Sequence, residues 1–375
     1  MRNVVILGTA VGLWLGLARF FFPPLGDSDT DALERTQLRV FSGDAADRAE
    51  LRETNPEWDF MGRTFGVLAL ANRALDAEDT SAHLAAMDSA IDDTLALEAE
   101  YGPTHFLMSY WRRAPFRAGD GRVESVFVDG EIALMLAARQ LIEEKPAYEV
   151  LLRERVERIR ASMEAGPARS AESYPNECWT FCNTTALLAL VMADETLGTD
   201  HRPFAIQWIR YAKEHLTDPE TGLLISSYTY EGEALDGPEG SSIWMSAHNL
   251  AAIDPEFAAD QYHRARTHLG KEFLGFGWAA EWPESWPNHA DVDSGPVIPI
   301  LDASAGSSGL ALLGAATFGD DGYELALQRS LRIGAFPQQQ DGELRFTAAG
   351  SVGDAVVFYA QTVGPVHGLL GRRAR

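Results

Sequence analysis

The chain has only two cysteines, Cys178 and Cys182, and it is short of positive charge, with 31 Lys and Arg against 55 Asp and Glu in 375 residues. Two cysteines with no companion histidine pair make no zinc-ligand set, and no glycine-rich phosphate loop occurs anywhere. Neither a metal nor an organic cofactor is expected. The net charge of −24 would repel a phosphate backbone, so nucleic acid is not an expected partner. No composition break or Ser/Gly/Pro linker interrupts the chain after residue 60, so residues 27–375 read as one catalytic domain. With 46% of its residues hydrophobic, the chain can bury one large core.

Long apolar runs are also scarce. The one candidate is at the N-terminus, where Arg2 precedes an apolar stretch from Val4 to Leu17. Arg19 breaks it, and Phe20-Phe-Phe-Pro-Pro24 follows. The stretch is short for a full span and has the length of a signal-peptide core. With Arg19 snorkelling and the run carried to Phe22, it reaches the ~20 residues of one span. Residues 1–26 therefore read as a cleaved signal or an uncleaved anchor, with a buried first helix as the plainer option. Arg2 inside and the acidic Asp27–Asp31 stretch outside would export the domain, leaving it periplasmic or membrane-anchored outside the cytoplasm.

What is present is helical periodicity. Apolar residues recur at helical spacing in 61–75, 82–99, 130–143, 147–164, 177–196, 203–216, 243–252, 255–270, 307–317, 321–332 and 354–370. The pattern predicts an all-α protein made of helical hairpins, joined by alternating short and long connections. An even array of such hairpins can close into a toroid, although periodicity alone does not show closure. The long connections hold the richer chemistry. Residues 222–241 have the look of a short hairpin. Residues 274–304 carry three tryptophans, several prolines and several carboxylates, and loops of that length are often functional. Cys178 and Cys182 lie four apart in a helical pattern, which would place them on one face, a poor geometry for a disulfide.

Residues 174–218 read YPNECWTFCNTTALLALVMADETLGTDHRPFAIQWIRYAKEHLTD. This segment resembles the centre of the linalool dehydratase-isomerase family. There a Cys-Asn pair opens a helix, followed by Gly-Thr-Asp, a Trp-containing helix and a Leu-Asp-Pro-like stop. Leu224–Tyr228 and Asp254-Pro-Glu-Phe257 are similar as well. Val128–Met135 resembles the family's Gly-His-x-x-Leu-Met stretch, and Asp291-Val-Asp-Ser-Gly295 resembles its Asp-Ala-Asp-Gly-Gly. The similarity runs over roughly residues 120–370.

The resemblance implies an (α/α)6 barrel and cofactor-free chemistry on a small isoprenoid alcohol. Cys182 falls on a family active-site cysteine, and Tyr228 falls on a pocket tyrosine. Phe127 takes the place of a pocket methionine. Asp59, in Asn55-Pro-Glu-Trp-Asp-Phe60, is the counterpart of the catalytic aspartate. Two positions depart from the family. Its second cysteine falls on Ser173, and its histidine falls on Glu131.

Dehydrating an alcohol needs a proton at the leaving oxygen, a base for a neighbouring C–H, and a dry aromatic pocket for the cation between them. Asp59, Glu131, Cys182 and Tyr228 are the catalytic candidates. Phe127, Trp179, Cys178, His248, Asp291 and Asp293 are candidates for holding substrate. Each has a plainer reading: Glu131 as a helix-terminus carboxylate, Cys182 as core packing, Asp291 and Asp293 as loop-fixing caps, His248 as a hydrogen-bonded structural residue. The alternative function is a carbohydrate-active toroid such as a glycoside hydrolase, with Glu131, Asp291 and Asp293 as acid and base and Cys182 inert. A third option is a binding toroid without catalysis. Expected partners are a small apolar alcohol and a membrane at the N-terminal segment, with homo-oligomerisation left open.

Overall fold

In a computed structural model, residues 2–43, 55–117, 123–286, 295 and 297–373 are described. Among these residues, after α1 (Arg2–Ala18), twelve helices alternate between an outer and an inner layer. The inner ones are α3 (Pro56–Asp76), α5 (Val126–Gln140), α7 (Thr180–Leu197), α9 (Gly240–Ala251), α11 (Ala305–Phe318) and α13 (Gly350–Thr362). Each inner helix packs on the next, and α13 packs on α3, which closes the ring. The outer ones are α2 (Asp27–Ser42), α4 (Ser81–Tyr101), α6 (Pro146–Ala165), α8 (Arg202–His215), α10 (Pro255–His268) and α12 (Asp321–Gly334), with α14 (Pro365–Arg373) docked on α3 and α7. This is the expected α/α toroid.

The layers follow from burial. Every residue of α5 is buried, as is most of α7, whereas the outer helices bury one stripe each. Connections from an inner helix to the next outer one are tight, such as Gly198–His201 with Gly198 at φ 67°. Connections back to the inner ring are long, and they gather at the N-terminal ends of the inner helices. They carry small antiparallel sheets: β1 (Cys178–Trp179), β2 (Ser227–Tyr228) and β3 (Ala234–Asp236) in one, β4 (Gly270–Phe273), β5 (Phe276–Ala279), β6 (Val297–Ile298) and β7 (Ala303–Ser304) in a second, and the hairpin β8 (Pro337–Gln340) with β9 (Glu343–Phe346).

Several expectations change. The hairpin anticipated within 222–241 is there as β2–β3. Residues 274–304 are not one loop, since their described part builds the second sheet. Helix α2 and the β8–β9 hairpin were not anticipated. The segment 354–370 is two helices, because Gly364 (φ 143°) and Pro365 end α13 and start α14. Cys178 is on strand β1, outside the helix of Cys182, so the two share no helical face, and both thiols are free. No helix among the described residues is long and apolar enough to cross a membrane.

Candidate active site

The site lies where the first turns of α3, α5 and α7 meet. Asn55 caps α3, its Oδ1 accepting from Glu57 N at 2.9 Å and Trp58 N at 3.4 Å, with Pro56 in the first turn. This fixes the helical phase. Glu57, Phe60 and Thr64 then share one side of α3, while Asp59 and Arg63 share another. On α5, Phe127 and Glu131 are one turn apart and share a side. Helix α7 comes close because Gly130 has no side chain: a Cβ there would stand 3.3 Å from the Ala186 backbone.

Glu131 is the centre of this arrangement. It is 1% exposed, and neither carboxyl oxygen has a hydrogen-bond partner. Burial pushes its pKa up from 4.5 to about 8, so the side chain is a neutral acid at pH 7. The Thr64 hydroxyl is near enough to temper that rise, yet Thr64 Oγ1 itself closes no hydrogen bond. A neutral carboxyl and a hydroxyl, both buried and both without a hydrogen-bond partner, leave hydrogen-bonding capacity between α3 and α5 of the kind a hydroxyl satisfies.

Cys182, in the first turn of α7, is buried beside Glu131, Glu57 and Ser173. Burial and the two acidic neighbours raise its thiol pKa well above the usual value, and contact with Ser173 offsets only part of this. The thiol is therefore protonated. Ser173 is held over it by local bonds: Ser125 Oγ donates to Ser173 O at 2.7 Å, and Ser173 N donates to Glu177 O at 2.8 Å. The next residue, Asn183, ties this loop to α7. Its Oδ1 accepts from Ala171 N at 2.9 Å, and its Nδ2 donates to Ala171 O and Trp179 O.

One wall is aromatic. Phe60 stacks on Phe106 at 4.2 Å and meets Phe127 edge-on at 5.3 Å. On the other side, Tyr174 donates its hydroxyl to Glu57, accepts from Met108 N at 2.8 Å and stacks on Tyr110 at 4.3 Å. Trp179 lies at the edge, half-buried, with its backbone N–H donating to Ser173 Oγ at 3.3 Å and its indole N–H to Glu177 at 3.4 Å.

Of the residues expected from sequence, Phe127, Glu131 and Cys182 come together, with Trp179 beside them. Asp59 does not join them. Its carboxylate binds Arg63 at 3.2 Å, and Arg63 reaches Asp93 and Thr94 on α4, so this group faces the outer layer. Tyr228 is also committed elsewhere, its hydroxyl 2.7 Å from Ser170 Oγ, which also takes the Trp208 N–H from α8. Cys178 is Tyr228's ladder partner, with a pKa raised by burial and by Glu172 and Glu231. His248 belongs to the far end of the inner helices. It bonds Thr317 at 2.7 Å and Tyr359 at 2.8 Å, and burial holds its pKa well below 6.5. Asp291 and Asp293 lie outside the described residues. Glu57 and Tyr174 were missed. The N-cap Asn55 with Pro56 marks the start of α3 and puts Glu57 and Asp59 on different sides, but which side meets α5 and α7 is set by packing. Among the described residues, no group of three His, Cys, Asp or Glu side chains is arranged to hold a metal.

The fold is similar to that of the unsaturated glucuronyl hydrolase of Bacillus sp. GL1 (TM-score 0.57, 13% identity, covering 89% of this chain and 94% of that one). The α-1,6-mannanase of Salegentibacter sp. HEL1_6 also matches (TM-score 0.49, 12% identity, covering 83% and 89%). At such identities the first likeness supports the α/α toroid and nothing about the reaction. The linalool dehydratase/isomerase family model matches residues 133–352, more than half of the chain. That span includes the loop carrying Ser173 and the helix carrying Cys182, and begins two residues after Glu131. The chain belongs to the linalool dehydratase/isomerase family.

Proposed function

We propose that this chain is a lyase/isomerase that dehydrates or allylically isomerises a small isoprenoid alcohol by acid–base chemistry, using only its own side chains. The observation that carries this is the buried, uncharged and unpartnered Glu131 beside Cys182 against the Phe60–Phe106–Phe127 wall. In this reading the substrate hydroxyl bonds the unsatisfied carboxyl of Glu131 and hydroxyl of Thr64. Glu131 gives its proton to that hydroxyl, the C–O bond breaks, and water leaves an allylic cation facing the aromatic wall. A C–H bond next to the cation then gives its electrons to the new double bond. Its proton passes to Cys182 Sγ as the thiol's own proton passes to Glu57. Proton return from Glu57 to Glu131 resets the site, so the net change is alcohol to alkene plus water. Recapture of water at the other end of the allyl cation gives isomerisation instead.

The apolar lining favours this over sugar chemistry, since a sugar's many hydroxyls need polar partners that Phe60, Phe106 and Phe127 do not offer. Incubating the purified protein with a panel of terpenols and oligosaccharides, read by mass spectrometry, tests the reading. Loss or transposition of a terpenol hydroxyl supports it, and turnover of an oligosaccharide alone refutes it. We also read residues 1–26 as directing the domain out of the cytoplasm. A reporter fused after Val40 that is active only in the cytoplasm refutes that part.

A further inference from the structure

Helix α1 is apolar on every side. Val5, Ile6, Leu7, Val11, Leu13, Trp14 and Leu17 are all exposed, and no polar stripe separates them. A protein partner covers one stripe of a helix, whereas a helix apolar all round is suited to lipid. The apolar surface does not stop where α1 ends. Phe20 and Phe21 continue it at 69% and 80% exposure. Phe22 meets Phe276 edge-on at 6.4 Å, which sets this segment against the β4–β5 hairpin. The tip of that hairpin presents Phe273 and Leu274 to solvent, and the nearby end of α12 presents Ile333 and Phe336. These pieces are joined: Arg329 donates to Gly275 O at 3.3 Å, and Arg332 donates to Pro24 O at 3.2 Å. Leu25 is buried and its N–H bonds Gln328 at 2.9 Å, so the segment that follows α1 is fixed to α12.

We infer that this flank of the toroid is itself a lipid-bilayer docking surface, resting Phe273, Leu274, Ile333 and Phe336 in the membrane interface beside α1. Arg19 and Arg329 converge on the hairpin tip, where their charges meet the headgroups while the apolar tips sit below. That is cation placement against the grain of a chain with net charge −24. The bonds of Pro24 and Leu25 to α12 keep the segment that follows α1 beside this flank, so α1 and the apolar tips meet the membrane together. An anchor alone would leave the domain free to swing. The inference rests on α1 being membrane-seeking, and the test separates the two.

Leu274→Cys and Val150→Cys are each labelled with an environment-sensitive fluorophore in the full chain. Cys178 and Cys182 are buried, so the introduced thiols react selectively. Val150 is exposed near the start of α6, remote from the hairpin tip. With phosphatidylcholine vesicles, the chain is expected to float with lipid, the probe at 274 to shift to the blue and the probe at 150 to stay unchanged. The double variant Phe273→Ser/Phe336→Ser is expected to partition at least ~10-fold more weakly with its circular dichroism unchanged. Flotation with an unshifted 274 probe overturns docking and leaves the anchor standing. Failure to float overturns both. A blue shift that appears without lipid and grows with protein concentration assigns the surface to a second copy of the chain and overturns the inference.

Discussion

Glu131 keeps its proton at pH 7 because burial disfavours its charge more than anything nearby favours it. This has consequences for rate and for stability. As the acid at the leaving hydroxyl, it supports turnover while protonated, so kcat/KM is expected to fall as pH rises through about 8. Glu131→Gln keeps the shape without the transferable proton, and should lower kcat/KM by at least ~10²-fold and remove that limb of the profile. Folding raises the pKa from 4.5 to about 8, so the native state holds this proton more tightly than the unfolded chain. The contribution is full below pH 4.5 and is lost progressively as pH rises to about 8. Asp354, raised from 3.8 to about 7, acts in the same direction over an overlapping window. Thermal midpoints of wild type and Glu131→Gln measured across that range should diverge, with the variant the less pH-dependent. Cys182→Ser preserves size and should leave folding intact while lowering turnover by more than ~10-fold. Wild-type kcat in both variants would remove the proposed chemistry. At this scale the sequence picked out Glu131 and Cys182, which the structure brings together in the buried centre. It misled at Asp59, because two residues along a helix turn a side chain to another face, and only the partner Arg63 shows which face Asp59 took.

Among the elements, the contact between α5 and α7 matters most, because it brings Glu131 to Cys182. It depends on Gly130 lying against the Ala186 backbone. Gly130→Val should force the helices apart, costing ~1–3 kcal/mol by denaturant titration and reducing activity along with stability. An unchanged unfolding midpoint would show that the contact yields freely. The same element scale explains what was hard to read. Helix α2 buries Thr30, Thr36 and Gln37 alongside Ala32, Leu33, Val40 and Phe41, so its inward face is partly polar and its apolar period weak. The Thr36 hydroxyl and the Arg35 guanidinium bond the backbone of the β8–β9 hairpin, a partnership between segments some 300 positions apart. Helices α5, α7 and α9 had no such difficulty, since nearly every one of their positions is buried and each reads as a long apolar segment.

For the whole molecule, the ring is closed by α13 packing on α3, and no local pattern announces that contact. Helix count and alternating loop length made an array of hairpins legible. Closure is a long-range fact, supplied by the family resemblance. Closure also makes the helices interdependent, so far-ultraviolet circular dichroism and tryptophan fluorescence are expected to report one coincident unfolding transition. Separated transitions would indicate that the ring opens in parts.

Three inner helices, α3, α5 and α7, bring their N-terminal turns to the site. Each carries roughly half a positive charge at that end from its aligned peptide dipoles. In the proposed reaction, a carbocation formed there would meet a field of its own sign, which a passive apolar cup could not offset. Proton donation supplies the remedy at the moment of need. When the neutral Glu131 gives up its proton, the negative charge it acquires appears with the cation, so the reacting pair stays neutral as a whole. The same dipoles would favour the new carboxylate, so on this mechanism the polarity of these helix ends would help Glu131 to ionise.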